Sequence, residues 1–128
     1  MRSIALSSLA WFFGTCALAG ERPVAVPEQA VIVRFNHGQK DWSSFFAFEE
    51  KLEKAVNESG LGDYDGNELA VDGSDGTLYM YGPDADKLFA FVKPYLDSAP
   101  MLKDIEVTLR YGAADDKNVR RLKVKVRS

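Results

Sequence analysis

Two hydrophobic periods occur along this chain, and the two-residue period of β-strands is the more frequent. Its clearest example is 104–111, where Ile105, Val107 and Leu109 fall on one side and polar residues fall on the other. Residues 72–76 join two strands and are rich in Gly, Asp and Ser, which tolerate positive φ in hairpins. We predict five strands, over residues 30–35, 68–71, 77–81, 104–111 and 121–126.

The three- and four-residue spacing of amphipathic helices marks two further segments. We expect Ser43 or Ser44 to cap the start of the first helix, and Gly60 suits its end. The second helix is expected to hold Pro83 in its first turn, and Pro94 should kink it or restrict its last turn. The predicted stripes consist of Phe45, Phe48, Leu52, Ala55 and Val56, and of Ala85, Leu88, Phe89, Val92 and Leu96.

The order of these elements predicts an α+β fold. Strand, helix, strand, strand, helix and strand form the split βαβ pattern of a ferredoxin-like sandwich, here followed by one extra C-terminal strand. We expect an antiparallel sheet with both helices on one face, the first and third strands at its centre, and the last strand beside 104–111. Residues 62–67, rich in Gly and Asp, are predicted to form a loop between the first helix and the second strand.

The N-terminal nineteen residues have the layout of a secretory signal peptide. Arg2 supplies a positive charge, the following residues up to Gly14 are mostly apolar, and residues 17–19 form an Ala-Leu-Ala site that signal peptidase accepts. We predict cleavage before Gly20 and a location in the periplasm or outside the cell, with no stable membrane anchor. One alternative is lipidation at Cys16, although the residues before it fit a lipoprotein signal poorly. The other is retention of the segment as an uncleaved anchor.

The predicted organisation is a signal peptide over 1–19, an extended lead-in over 20–29 and one domain over 30–128. Cleavage would leave 109 residues, enough for one hydrophobic core. Cys16 is the only cysteine, so the mature chain would form no disulfide and its stability would depend on packing.

Charge is distributed unevenly along the chain. The net charge is −3, and loss of the leader with its one arginine would make it −4. Residues 58–86 contain eight acidic residues and no Lys or Arg, whereas residues 117–128 contain six basic residues and no acid. A mildly acidic, exported chain is a poor candidate for binding nucleic acid, so we predict no such partner.

The sheet face opposite the helices, called the open face below, is the predicted binding surface. Strand alternation turns Arg34, Tyr79, Tyr81 and Arg110 toward it. Aromatic and arginine side chains are enriched where proteins bind one another. The alternative is an ordinary solvated face, on which the same residues pack across strands. The basic last strand is interpreted as edge protection, because lysines on an exposed edge discourage aggregation. The alternative is a site for an anion or an acidic partner.

No catalytic, metal or cofactor site is predicted. His37 is the only histidine and has no cysteines to share a zinc ion; as a lone acid–base group it would have to act near Tyr111 or Asp41. Calcium ligands counted from Asp63 fail the EF-hand spacing at positions six and twelve. The acids of this region are interpreted as turn formers, and a looser calcium site that uses Asp72 or Asp75 is the alternative. An aromatic cluster precedes and enters the first helix, with Trp42 and Phe46 off its main stripe and expected to be exposed, and Phe45 and Phe48 on it.

Three segments resemble a recurring core in small bacterial proteins of unassigned function. They are residues 64–68 (YDGNE), 78–86 (LYMYGPDAD) and 109–112 (LRYG). The resemblance extends over 31–112, most of the predicted domain. It implies no activity, cofactor or site that can be transferred to this chain.

These features favour a small exported binding module without enzymatic activity, engaging a protein partner in the manner of an inhibitor, immunity or accessory protein, or self-associating. The alternative is a small cofactor-free enzyme or ligand carrier that uses a cavity on the open face of a dimer. A third interpretation is an oligomer with a structural role. A catalyst or carrier needs a concave pocket with converging polar groups, whereas a binding module needs only an exposed patch.

Overall fold

The computed structural model describes residues 28–127, which form five strands and two helices. The predicted leader over 1–19 and all but the last two residues of the lead-in lie outside the described residues. No helix in the described part of the chain is long and apolar enough to cross a membrane. In chain order the elements are β1 (Gln29–Asn36), α1 (Ser43–Ser59), β2 (Asp63–Leu69), β3 (Asp75–Gly82), α2 (Ala85–Asp97), β4 (Lys103–Arg110) and β5 (Arg121–Arg127).

The five strands form one antiparallel sheet in the order β2-β3-β1-β4-β5. β1 is the middle strand, because it pairs with β3 on one side and β4 on the other. Ile32 of β1 lies opposite Tyr79 of β3 and Thr108 of β4, so cross-strand rows can be followed through the sheet. β5 pairs with β4, as predicted for the last strand.

Both helices pack against one face of this sheet. The inward residues of the strands and the apolar stripes of the helices belong to a single buried cluster. Burial of such side chains contributes about 1.5–3 kcal/mol each and is the main term that holds the helices on the sheet. The predicted helical stripes are confirmed as core: seven of their ten members are buried and Phe48, Ala55 and Phe89 are half-buried. The largest fully buried strand residues are Phe35, Leu78, Met80 and Ile105.

The ends of the helices differ in part from the prediction. Trp42, not a serine, occupies the N-cap of α1, and its side chain makes no capping hydrogen bond. Instead the Ser43 amide donates to the Asp41 carboxylate at 2.8 Å, and hydrogen bonds from Ser43 lower the pKa of Asp41. Gly60 ends α1 in the left-handed region, as predicted. In α2, Asp84 is the N-cap, so Pro83 precedes the helix and does not lie in its first turn.

The prediction of a loop over 62–67 is wrong. β2 begins at Asp63, and the pairing of β2 with β3 is irregular between Tyr64 and Gly66. Gly66 has φ of 127°, a conformation that favours glycine. Tyr64 is the only buried residue of the strand, so no apolar alternation marks it. At the other end, Val71 was predicted in the strand but lies in the turn and is fully exposed.

Candidate functional site

The open face presents three rows of side chains that cross the sheet from β2 to β5. Residues paired across antiparallel strands share a face, which allows each row to be identified from the strand register. The first row is Asp63, Tyr81, Ala30, Arg110 and Arg121; the second is Gly66, Tyr79, Ile32, Thr108 and Lys123; the third is Glu68, Thr77, Arg34, Glu106 and Lys125. All four predicted site residues lie in these rows, at or next to the middle strand.

Tyr79 is a half-buried member of the second row. Its hydroxyl donates to Glu68 Oε1 of β2 at 2.5 Å. This hydrogen bond to a carboxylate raises the pKa of Tyr79, and partial burial adds to the effect. The phenol is therefore neutral and oriented, and it presents its ring to solvent at the centre of the face.

Arg110 lies on the open face but is not free. It is only 8% exposed, and its Nε donates to the Gly112 carbonyl oxygen at 2.7 Å. Its guanidinium carbon is 5.8 Å from the ring centroid of Tyr81, close enough for a cation–π interaction. Ala30 lies between these two residues in the row and is fully buried. Arg110 therefore braces Tyr81 and covers the small residue between them.

Arg34 is the accessible cation at the centre of the face. Its side chain is 61% exposed, and one guanidinium nitrogen lies 3.1 Å from Asp75 Oδ2 at the start of β3. An exposed ion pair of this kind stabilises a fold by roughly 0–1 kcal/mol. Arg34 is therefore available for another contact at little cost to the fold.

Charge changes sign across the face. On β2, Asp63 and Glu68 make that edge acidic, and on β5 the cations Arg121, Lys123 and Lys125 make the opposite edge basic. The acidic and basic blocks of the sequence are thus placed at opposite edges of one surface. The predicted site omitted both acids. Asp63 fell in the predicted loop over 62–67, whereas Glu68 fell in the predicted second strand but was not assigned to the open face; the block pattern of charge was the only signal for them.

His37 is a packed residue in a loop cluster and not an accessible acid–base group. It is 2% exposed, its ring stacks on Trp42 with centroids 3.9 Å apart, and its Nδ1 lies 2.8 Å from the Gln39 carbonyl oxygen. The loop is tight, since a Cβ on Gly73 would meet that same oxygen at 2.0 Å. Trp42 is half-buried by this stacking, and Phe46 is 51% exposed, so the expected exposure holds fully for Phe46 alone.

Tyr111 was considered as a neighbour of His37 in an acid–base site, but its contacts are with Asp86 and Arg120. Its hydroxyl donates to Asp86 Oδ1 of α2 at 2.6 Å, which raises the pKa of Tyr111. Arg120 covers its ring, with the guanidinium carbon 4.2 Å from the centroid. These contacts fasten the end of β4 and the loop before β5 to the second helix.

A buried polar contact joins β2 to α1 and was not anticipated from the sequence. The Tyr64 hydroxyl and the Asn67 amide each donate to Glu49 Oε2, both at 2.5 Å. Burial raises the pKa of Tyr64, and the hydrogen bond to Glu49 raises it further. Because the raised pKa keeps Tyr64 protonated at neutral pH, this contact serves to position β2 against α1.

A hollow away from the open face is lined by residues of both helices. It has a volume of about 490 Å³, and its lining includes Phe91, Tyr95, Ala55 and Lys51. A smaller hollow of about 240 Å³ shares Lys51 and Tyr95 with it. Among residues 28–127, no group of three or more His, Cys, Asp or Glu side chains could hold a metal ion.

Comparison of the chain with protein-family models, curated proteins and solved structures finds no match. The function of this protein is therefore inferred from its own geometry. The open face, with its three rows of residues, is the surface best suited to binding.

Proposed function

We propose that this protein is an exported binding module without enzymatic activity that engages a protein partner through its open face. The proposal includes a ferredoxin-like fold in which β5 is an added edge strand. The order β2-β3-β1-β4 and the antiparallel pairing support that fold assignment. The layout of residues 1–19 supports export.

One observation carries the proposed role: two tyrosines, Tyr79 and Tyr81, lie side by side on the face of β3 that no helix covers. Tyr79 and Tyr81 are both half-buried, which leaves part of each ring accessible, and each is held by a neighbour on the same face. Rings that are already ordered lose little entropy when a partner packs on them. Arg34 adds an accessible cation beside them, and this combination is typical of residues that dominate binding energy.

Capture of partners from a periplasmic extract by the immobilised protein tests this role. We expect Tyr79→Ala and Tyr81→Ala to lose captured proteins that the native chain retains. Tyr95→Ala is the matched control, since Tyr95 is a half-buried tyrosine on the helical side. Equal capture by all three variants would show that the open face is not the binding surface.

A further inference from the structure

We infer that the partner of the open face is a second copy of this chain, packed face to face about a twofold axis that runs along β1. This inference rests on the proposed binding role of the face and adds the identity of the partner. It is carried by the charge distribution: one surface has an acidic edge and a basic edge, and such a surface is complementary to itself.

The direction of the axis follows from the strand order. Consider a twofold axis that lies between the two sheets and runs parallel to β1. In the second copy the order of the strands across the sheet is reversed, but each residue stays at the same height along the strand direction. β2 of one copy then lies over β5 of the other, because β1 is the middle strand. An axis perpendicular to the strands would place β2 over β2 and β5 over β5, and like charges would meet at both edges. The charges therefore select the axis along β1.

This axis also fixes which residues meet. Because heights along the strands are unchanged, each row of one copy faces the same row of the second copy, with the order of its residues reversed. In the first row Asp63 faces Arg121 of the second copy, and in the third row Glu68 faces Lys125 of the second copy. Each contact occurs twice by symmetry, which gives four oppositely charged pairs around the rim.

The region at the axis is suited to burial. Ile32 of the middle row meets its own copy there, with Tyr79 on one side and Thr108 on the other. Arg34 also approaches its copy, but its charge is partly neutralised by Asp75 at 3.1 Å. The centre thus combines Ile32, aromatic rings and an arginine paired to Asp75, and the rim is charged; aromatic residues and Arg are enriched in protein interfaces.

The size of the face suits a reversible dimer. Five strands spaced by about 4.8 Å, each seven or eight residues long, cover roughly 500–600 Å² per copy. Two copies would bury about 1,000–1,200 Å², at the lower end of specific interfaces. Strands that run parallel to the shared axis also satisfy the aligned mode of sheet packing.

Sedimentation velocity over protein concentrations from roughly 1 to 300 μM tests the dimer, because an interface of this size should dissociate within that range. We expect a monomer–dimer equilibrium that weakens as salt is added. Glu68→Lys and Lys125→Glu should each weaken association at least about tenfold, since each variant makes two pairs repulsive. The double variant Glu68→Lys/Lys125→Glu should recover most of the loss, because the exchanged charges again attract. Glu50→Lys on the exposed side of α1 is the control with the same change in charge.

A native chain that stays monomeric at every concentration would overturn the second copy as partner. So would a double variant that associates no better than either single variant, since the two sites would then not face each other. The proposed function is tested separately by periplasmic capture. If the chain is monomeric while capture depends on Tyr79, the binding role stands and the partner is a different protein.

Discussion

Replacing Tyr64 with Phe should destabilise the fold although it removes a single oxygen atom. Tyr64 is 8% exposed, so its ring remains packed in the core after the change. The lost hydroxyl donates to Glu49 Oε2, which keeps only the Asn67 amide as a side-chain donor. A hydrogen bond to a charged group contributes about 1.5–3 kcal/mol. Glu49 is half-buried, so water can replace part of the lost hydrogen bond, and we expect the free energy of unfolding to fall by about 1.5 kcal/mol.

Urea denaturation at pH 7 measures this loss as a difference in the free energy of unfolding. For a domain of this size it corresponds to a fall in Tm of roughly 6–12 °C. Tyr95→Phe is the matched control: within the described residues the Tyr95 hydroxyl makes no hydrogen bond, so its removal should change stability by less than about 0.5 kcal/mol.

The dependence of this loss on pH supplies a second test. Burial, followed by the bond to Glu49, raises the pKa of Tyr64 above its ordinary value of 10. A raised pKa in the folded state means that the stabilisation is complete below about pH 10 and is lost as the pH rises further. The difference between native protein and Tyr64→Phe should therefore stay constant from about pH 7 to 9 and narrow above about pH 10. A variant as stable as the native chain at pH 7 would refute the argument.

Three further changes test other parts of the structure. Met80→Ala should lower the free energy of unfolding by about 2–5 kcal/mol, because Met80 is fully buried, whereas Tyr79→Ala should lower it by less than about 1 kcal/mol. Urea denaturation measures both losses, and a larger loss for Tyr79→Ala would mean that the two faces of the sheet have been assigned the wrong way round. Gly73→Ala should lower Tm more than Gly38→Ala, since both have φ near 80° but only a Cβ at 73 would meet a backbone oxygen; equal losses would contradict the packing of that loop. Intact mass of the exported protein should give a chain beginning at Gly20, and a lipidated or full-length species would contradict the predicted cleavage.

Hydrophobic periodicity was sufficient to predict most of the fold. β1, β3, β4 and both helices occur within a few residues of their predicted bounds, because their apolar side chains form one core and the spacing of those residues records the geometry. β5 was also predicted, although its inward Leu122 is 47% exposed, since alternation persists even where burial is incomplete. The split βαβ pattern predicted the first and third strands at the centre and the last strand beside β4, and the order β2-β3-β1-β4-β5 agrees with both.

β2 was the element that periodicity could not define. Its residues are mostly polar, its pairing is irregular between Tyr64 and Gly66, and Tyr64 is its only buried residue. The strand is held by the pairing with β3 and by the contact with Glu49, and neither produces an apolar period within the strand. A local apolar pattern contains no signal of that kind, and Asp63 at the acidic edge of the open face was missed for the same reason.

Arg110 shows a related limit at the candidate site. Alternation correctly placed it on the open face, since Leu109 before it is buried in the core. Alternation predicts from which face of the sheet a side chain projects, but not where the end of a long side chain lies. Here the guanidinium turns back to the Gly112 carbonyl and toward the Tyr81 ring. Its expected role therefore changes from a contact residue to a residue that positions Tyr81.

The need to protect sheet edges explains only half of the charge pattern on the open face. Lysines on β5 would discourage another strand from pairing with that edge, whichever partner the face binds. β2 is already protected in a different way, because the irregular pairing at Gly66 distorts the edge that it presents. Edge protection therefore gives no reason for Asp63 and Glu68 to carry acids on the same face without a compensating base beside them. Complementarity with the basic edge accounts for both sets of charges at once, which is why the charge-exchange pair Glu68 and Lys125 is the most informative place to perturb this surface.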